Sequence, residues 1–242
     1  MIVIGVDCAT VDKRIGLAKG KFENSQVAVL EVASGKDQPV LETILDWLPP
    51  NEPALLGLDA PLGWPAALGQ QLAGHMAGKP IREQPGKLFN RHTDHFIHNK
   101  LGKKPLEVGA DRIARTALAA LKLIEGLRHR SGNEIIVGWN PAEIVNTAVI
   151  EVYPAATLIA YNAIVPGYKK PAATTERQKV LTSLKQHMEI KTAPDLMLAS
   201  PDVLDAAICV LAGADYLKGQ CYPPDDLTLA QKEGWIWVKE ID

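Results

Sequence analysis

The sequence predicts an α/β fold, with a mixed sheet that opens as a three-strand meander and continues with alternating helices and strands. Three observations predict it. Short apolar runs of strand length recur from the N-terminus onward. Stretches with apolar residues at helical spacing separate the later runs. No helical pattern interrupts the first three runs, whereas a doubly wound dinucleotide-type sheet alternates from its start.

The elements follow in order. Ile2 to Asp7 is an apolar run suited to a central strand buried on both faces. Arg14 to Ala18 and Ser25 to Val32 read as the next two strands, with the polar stretch Lys19 to Asn24 as a hairpin loop. Val40, Leu41, Ile44, Leu45 and Leu48 recur at helical spacing until Pro49-Pro50 stops the helix. Ala54 to Asp59 is another buried strand, closed by Ala60-Pro61.

Residues 62–108 are rich in Gly and Pro and follow neither regular period. A long helix from about Ala110 to Arg128 comes next. Arg128-His129-Arg130 complements its dipole, and Gly132 stops it. Thr147 to Tyr153 is a strand ended by Pro154. Thr175-Glu176-Arg177-Gln178 reads as a capping box opening a helix. Ser200-Pro201-Asp202 reads as an N-cap, a Pro at the first helical position and an acid in the first turn. The nearly apolar helix it opens ends near Gly219, and Trp235 to Val238 reads as a short final strand. The order is that of a ribonuclease H-like mixed sheet, with residues 1–242 as one domain and 62–133 as an inserted lid.

Composition excludes several classes. The 242 residues are ample for a real core, and 47% hydrophobic with 22% charged is ordinary for a soluble globular chain. No apolar run approaches the roughly 18–20 residues that span a bilayer. The first residues lack a basic n-region and reach an acid at Asp7, which is unlike a signal peptide. The three cysteines, Cys8, Cys209 and Cys221, are scattered and odd in number, so the expectation is a reducing, cytoplasmic setting. A net charge of −2 excludes coating of nucleic acid by bulk charge and leaves room for a local basic groove.

The acids are the chemical clue. Asp7 and Asp59 end apolar strands, and Glu151 lies within a third. A charge in such surroundings is costly and calls for a partner or a metal. Parallel neighbouring strands would place Asp7 and Asp59 on one sheet edge. Asp202 and Asp205, three apart, share one helical face and can point at that edge. Such a set of oxygen ligands favours Mg²⁺ or Mn²⁺, which could drive phosphodiester hydrolysis. Blander roles exist for each acid. Asp7 and Asp59 suit Asx turns, Glu151 suits an edge strand, and Asp202 suits ordinary capping.

Residues 79–104 carry seven Lys/Arg against two acids. The run is either a solvated loop or a lid in which Arg91 and lysines such as Lys87 grip phosphates. Arg91 and Asp94 could pair with each other or with a substrate. His92, His95 and His98 are spaced at three, without the pattern of a zinc site. Trp235 and Trp237 could stack bases, but packing on the core is the simpler use.

Together, Gly5-Val6-Asp7-Cys8-Ala9, Gly16-Leu17-Ala18, Leu58 to Gly63, Arg91-His92-Thr93-Asp94, Glu151-Val152-Tyr153-Pro154, Asp202 to Ala207 and Glu233 to Trp237 occur in that order. The ordered set, covering nearly the whole chain, resembles an uncharacterised prokaryotic family of predicted nucleases with a ribonuclease H-like fold. The resemblance implies a metal-dependent nuclease related to the RuvC-type resolvases, acting on DNA or RNA. In those enzymes acids of the first strand, a later strand and a late helix hold the metals. It implies ligand roles for Asp7, Asp59 and Asp205, with Glu151 as a further candidate, beside Asp202 from its place on the helix face. It makes Arg91 and Asp94 the family's Arg-x-x-Asp element. Resolvase relatives act as dimers, which allows a homodimer here. Gly5-Val6-Asp7 with Thr10 and Lys13 also resembles the phosphate loop of actin-like phosphotransferases, although residues 135–242 show no second such loop. A catalytically silent binding module of the same fold is the third reading.

Overall fold

The computed structural model describes residues 1–109 and 111–241. Its first strand, β1 (Ile2–Asp7), lies in the middle of a seven-stranded sheet. The other strands are β2 (Gly16–Glu23), β3 (Gln26–Ser34), β4 (Ala54–Asp59), β5 (Ile135–Val137), β6 (Thr147–Glu151) and β7 (Glu189–Ile190). Their order across the sheet is β5-β6-β4-β1-β2-β3-β7. β1, β2 and β3 form an antiparallel meander, and β1 joins it to the parallel strands β4, β6 and β5. An antiparallel meander continued through its first strand into parallel strands is the ribonuclease H-like arrangement. An actin-like phosphotransferase would need a second half-domain of this kind. Among the described residues there is one sheet.

Alternation along the strands sorts side chains onto two faces. One face carries Ile4, Val6, Leu56 and Leu58, and packs with Ile44 of α1 (Val40–Trp47) and Ile124 and Leu127 of α5 (Asp111–Ser131). The other carries Val3 and Leu55, and packs with α9 (Pro201–Leu217). α9 is buried along almost its whole length because Ala206, Ala207, Cys209, Ala212, Gly213 and Ala214 are small. Glycines on the strands complete the fit. A Cβ on Gly5 would lie 1.9 Å from the carbonyl oxygen of Ala206, and one on Gly16 would lie 2.0 Å from that of Asp202. The helix backbone therefore rests on the backbones of β1 and β2.

Between β4 and β5 run α2 (Ala66–Leu72), α3 (Pro85–Phe89), α4 (His92–Leu101) and α5. After β6 come α6 (Pro154–Ala160), α7 (Thr174–Leu184), α8 (Asp195–Ala199), α9 and α10 (Leu227–Glu233). No helix among the described residues is long and apolar enough to cross a membrane.

Several expectations shift in detail. The expected loop 19–24 is mostly strand. β2 reaches Glu23, and the turn is only Asn24-Ser25, both with positive φ (52° and 61°). Such a turn matches the twist of a hairpin, and Lys19 pairs with Glu31 across it at 2.9 Å. The expected helix start at Ala110 lies outside the described residues. The capping box at Thr175 does not form, since the N-cap of α7 is Ala173, two residues earlier, and no side chain caps it. Ser200 does cap α9, accepting from Val203 N–H at 3.4 Å. Trp235 to Val238 is not a sheet strand. It touches the sheet through one bridge, Glu151 to Ile236, while both tryptophans are buried.

Candidate metal centre

β1 and β4 run parallel in exact register, so Asp7 pairs with Asp59. Both residues fall on the strand parity of Val3, Gly5, Leu55 and Gly57, the face covered by α9. Asp205 lies one turn into α9, next to the Ala206 carbonyl that rests on Gly5. The result is three carboxylates from three distant stretches of sequence. One oxygen of each lies within 4.8 Å of the others. The donors are all hard oxygens on a common focus, which fits a divalent cation such as Mg²⁺ or Mn²⁺ better than a softer ion.

Electrostatics shows how under-compensated this cluster is. Burial, then the neighbouring Asp59 and Asp205, push the Asp7 carboxyl well above its usual range. Burial also lifts Asp59 to about 7, against the opposing pull of Lys169. Asp205 is raised by burial and drawn back by the Lys169 ammonium and a hydrogen bond from Tyr168. Lys169 Nζ lies 2.5 Å from Asp205 Oδ2, and the Tyr168 hydroxyl donates to Asp205 Oδ1 at 2.8 Å. Asp202 remains at the helix start, half-buried and outside the three-carboxylate focus.

Glu151 goes elsewhere. It pairs in register with Leu58, one step short of Asp59, so it falls on the opposite strand parity. Its Oε1 accepts from Arg91 at 2.7 Å, and its Oε2 accepts from Arg91 at 2.7 Å and from Leu62 N–H at 3.0 Å. Arg91 also donates to Asp94 Oδ1 at 2.9 Å and to the Glu233 carbonyl at 3.1 Å. Burial alone would depress the Arg91 guanidinium, but Glu151 and Asp94 more than restore its charge. Arg91, Asp94 and Glu151 are each at most 3% exposed, so the group is a closed ion network.

A cleft of about 430 Å³ opens beside Asp59. Tyr153, Leu106, Lys103, Lys104 and Lys169 line it, and the Arg91 network forms part of its wall. Lys87 does not line it. That residue is exposed on α3, 3.8 Å from Glu83. The three histidines share α4 without converging on a metal: His92 Nε2 lies 2.6 Å from Asp225 Oδ1, and His95 meets the Gly86 carbonyl.

Tyr168, Lys169 and Tyr153 escape the sequence reading. Gly167-Tyr168-Lys169-Lys170-Pro171 has the look of a solvated turn. Its one clue is an aromatic and a cation held between Gly and Pro. Tyr153 has a better signal, as it lies two residues after a buried acid and just before Pro154.

Among solved structures, T. thermophilus RuvC in complex with a Holliday junction substrate is similar at 14% identity. The match covers 90% of this chain and 96% of that one, with a TM-score of 0.37. The fold assignment stands on strand order and direction. No curated protein matches the chain. The family model described as "Protein of unknown function (DUF429)" matches residues 5–228, a span that runs from β1 through the start of α10 and takes in all three converging aspartates. The chain belongs to the DUF429 family.

Proposed function

We propose that the protein is a metal-dependent nuclease that hydrolyses nucleic-acid phosphodiester bonds. The observation that carries the proposal is the convergence of Asp7, Asp59 and Asp205 within 4.8 Å on a ribonuclease H-like sheet. Burial pushes all three carboxyls above their usual range, so their ionised state is unfavourable without a cation. Mg²⁺ or Mn²⁺ bound there would supply an activated water and offset the charge of the reacting phosphate.

The chain's own groups have separable tasks. Asp7, Asp59 and Asp205 hold the ion. Lys103 and Lys104, on the rim of the cleft, attract the phosphate backbone and fix its position without reading sequence. Tyr153 presents an aromatic wall beside Asp59, against which a base or sugar can rest. We assign Arg91, Asp94 and Glu151 to holding that wall, because their polar atoms are already spent on one another.

The test is calorimetric titration of wild type and Asp7→Asn with Mn²⁺, together with cleavage of branched DNA, single-stranded DNA and RNA–DNA hybrid. Wild type binds and cuts at least one substrate, and Asp7→Asn does neither. A wild type that cuts none of the three overturns the proposal.

A further inference from the structure

The carboxylate focus already holds a cation of the protein's own. The Lys169 ammonium lies 2.5 Å from Asp205 Oδ2. Its charge also acts on Asp7, Asp59 and Asp202. It therefore sits where it compensates the whole cluster and not one acid alone.

This lysine is delivered by a dedicated support. It lies in the segment between α6 and α7, and that segment is pinned from beneath by Arg177, which is fully buried. The Arg177 guanidinium donates to the carbonyls of Tyr168 at 2.9 Å, Lys170 at 2.8 Å and Pro171 at 3.1 Å, and to that of Leu198 at 2.6 Å. A buried guanidinium spent wholly on backbone carbonyls fixes the residues on either side of Lys169. The side chain itself is 56% exposed and lines the cleft. A rigid base with a long, half-free side chain lets the ammonium move without moving the segment.

We infer that the Lys169 ammonium and a divalent metal ion compete for the same carboxylates, so that metal loading releases Lys169 into the cleft as a phosphate-binding group. The inference rests on the nuclease reading above. A divalent ion held by Asp205 would repel an ammonium in contact with the same carboxylate. Once displaced, the ammonium remains on the cleft it already lines, beside Lys103 and Lys104. Metal-free protein is thus partly charge-compensated but poorly set to take a phosphate, and metal-loaded protein has a cation free for it.

The experiment is Mn²⁺ titration of wild type, Lys169→Gln and Lys169→Arg at pH 8, with folding checked by circular dichroism. Lys169→Gln loses the competitor and binds Mn²⁺ about tenfold more tightly. Lys169→Arg keeps a cation and stays close to wild type. AMP then serves as a phosphate probe: it binds Mn²⁺-loaded wild type more tightly than Mn²⁺-loaded Lys169→Gln. Folded Lys169→Gln with unchanged or weaker Mn²⁺ affinity overturns the competition, and equal AMP affinities overturn the released role. If Lys169→Gln tightens Mn²⁺ while wild type cuts nothing, the nuclease reading fails and the competition stands. If wild type cuts and the Mn²⁺ affinities match, the competition alone fails. Absence of Mn²⁺ binding in all three proteins overturns both.

Discussion

Two groups of carboxylates meet at one cleft, one of them fully buried and the other partly exposed, and they are compensated in opposite ways. Around Arg91, every carboxylate oxygen has a donor. Asp94 and Glu151 share the guanidinium, and Leu62 N–H adds a further bond to Glu151. Glu233 joins by accepting from Ala66 N–H and His92 N–H, each at 2.7 Å, at the starts of α2 and α4. Around Asp7 and Asp59 the supply is poor. Among the described residues, the strong donors reach Asp205, as Lys169 and Tyr168, and not the two strand-end acids. The first group is finished without a ligand. The second is a set of acceptors awaiting a cation. Burial of an acid therefore marks a site only when the surrounding donors fall short.

The sharpest way to break this contrast is Arg91→Met. It leaves Glu151 and Asp94 buried without their counter-charge, and urea unfolding should show a loss of about 3–5 kcal/mol. In the metal centre the same kind of change has the other sign. Asp7→Asn removes a repelling charge, so the metal-free protein should unfold no earlier than wild type in EDTA. Its Mn²⁺ affinity by calorimetry should fall at least about 100-fold, since losing a ligand exceeds the usual cost of losing a ligand's support.

pH sharpens the contrast further. The folded Asp59 carboxyl, lifted to about 7, binds a proton more tightly than the same group in the unfolded chain. The folded state therefore holds more protons across that window, and metal-free stability falls as pH rises from about 4 toward 7. Melting in EDTA at pH 5 and pH 8 should show the fall. Mn²⁺ binds the deprotonated acids, so it should raise the melting temperature more at pH 8 than at pH 5. Asp215, held at about 6 chiefly by burial further along α9, adds to the fall in EDTA and takes no part in the recovery. The smallest expected effect is Glu233→Gln. It keeps the shape and one acceptor oxygen but weakens the bonds at Ala66 and His92, costing about 1 kcal/mol in urea unfolding.

Much of this was legible in the residues. Ile2 to Asp7 and Ala54 to Asp59 read as buried strands with terminal acids, and Asp205 stood out in an apolar helix. Pairing them required only that the two strands be parallel neighbours. What stayed hidden depended on register and reach. Glu151 looks equivalent to Asp59 in sequence, because a strand buried on both faces shows no alternation. Only the pairing of Glu151 with Leu58 puts it on the other face. Edge strands of two or three residues, such as β5 and β7, are too short to show a period. Lys169 arrives from a turn whose position is set by Arg177, a contact between residues that no local pattern links.

The rest of α9 on Gly5 and Gly16 has a consequence for how this molecule can change over time. Side chains in a core absorb drift by turning to new rotamers, so distances they define can wander. The spacing from Asp205 to Asp7 is set by peptide against peptide, with no adjustable spacer in between. The cleft rim at Lys103 and Lys104 belongs to the long excursion between β4 and β5, and both lysines are exposed there. The molecule thus separates a gauge that tolerates almost no play from a border that can be redrawn freely. New substrates can be tried at the border without recalibrating the gauge.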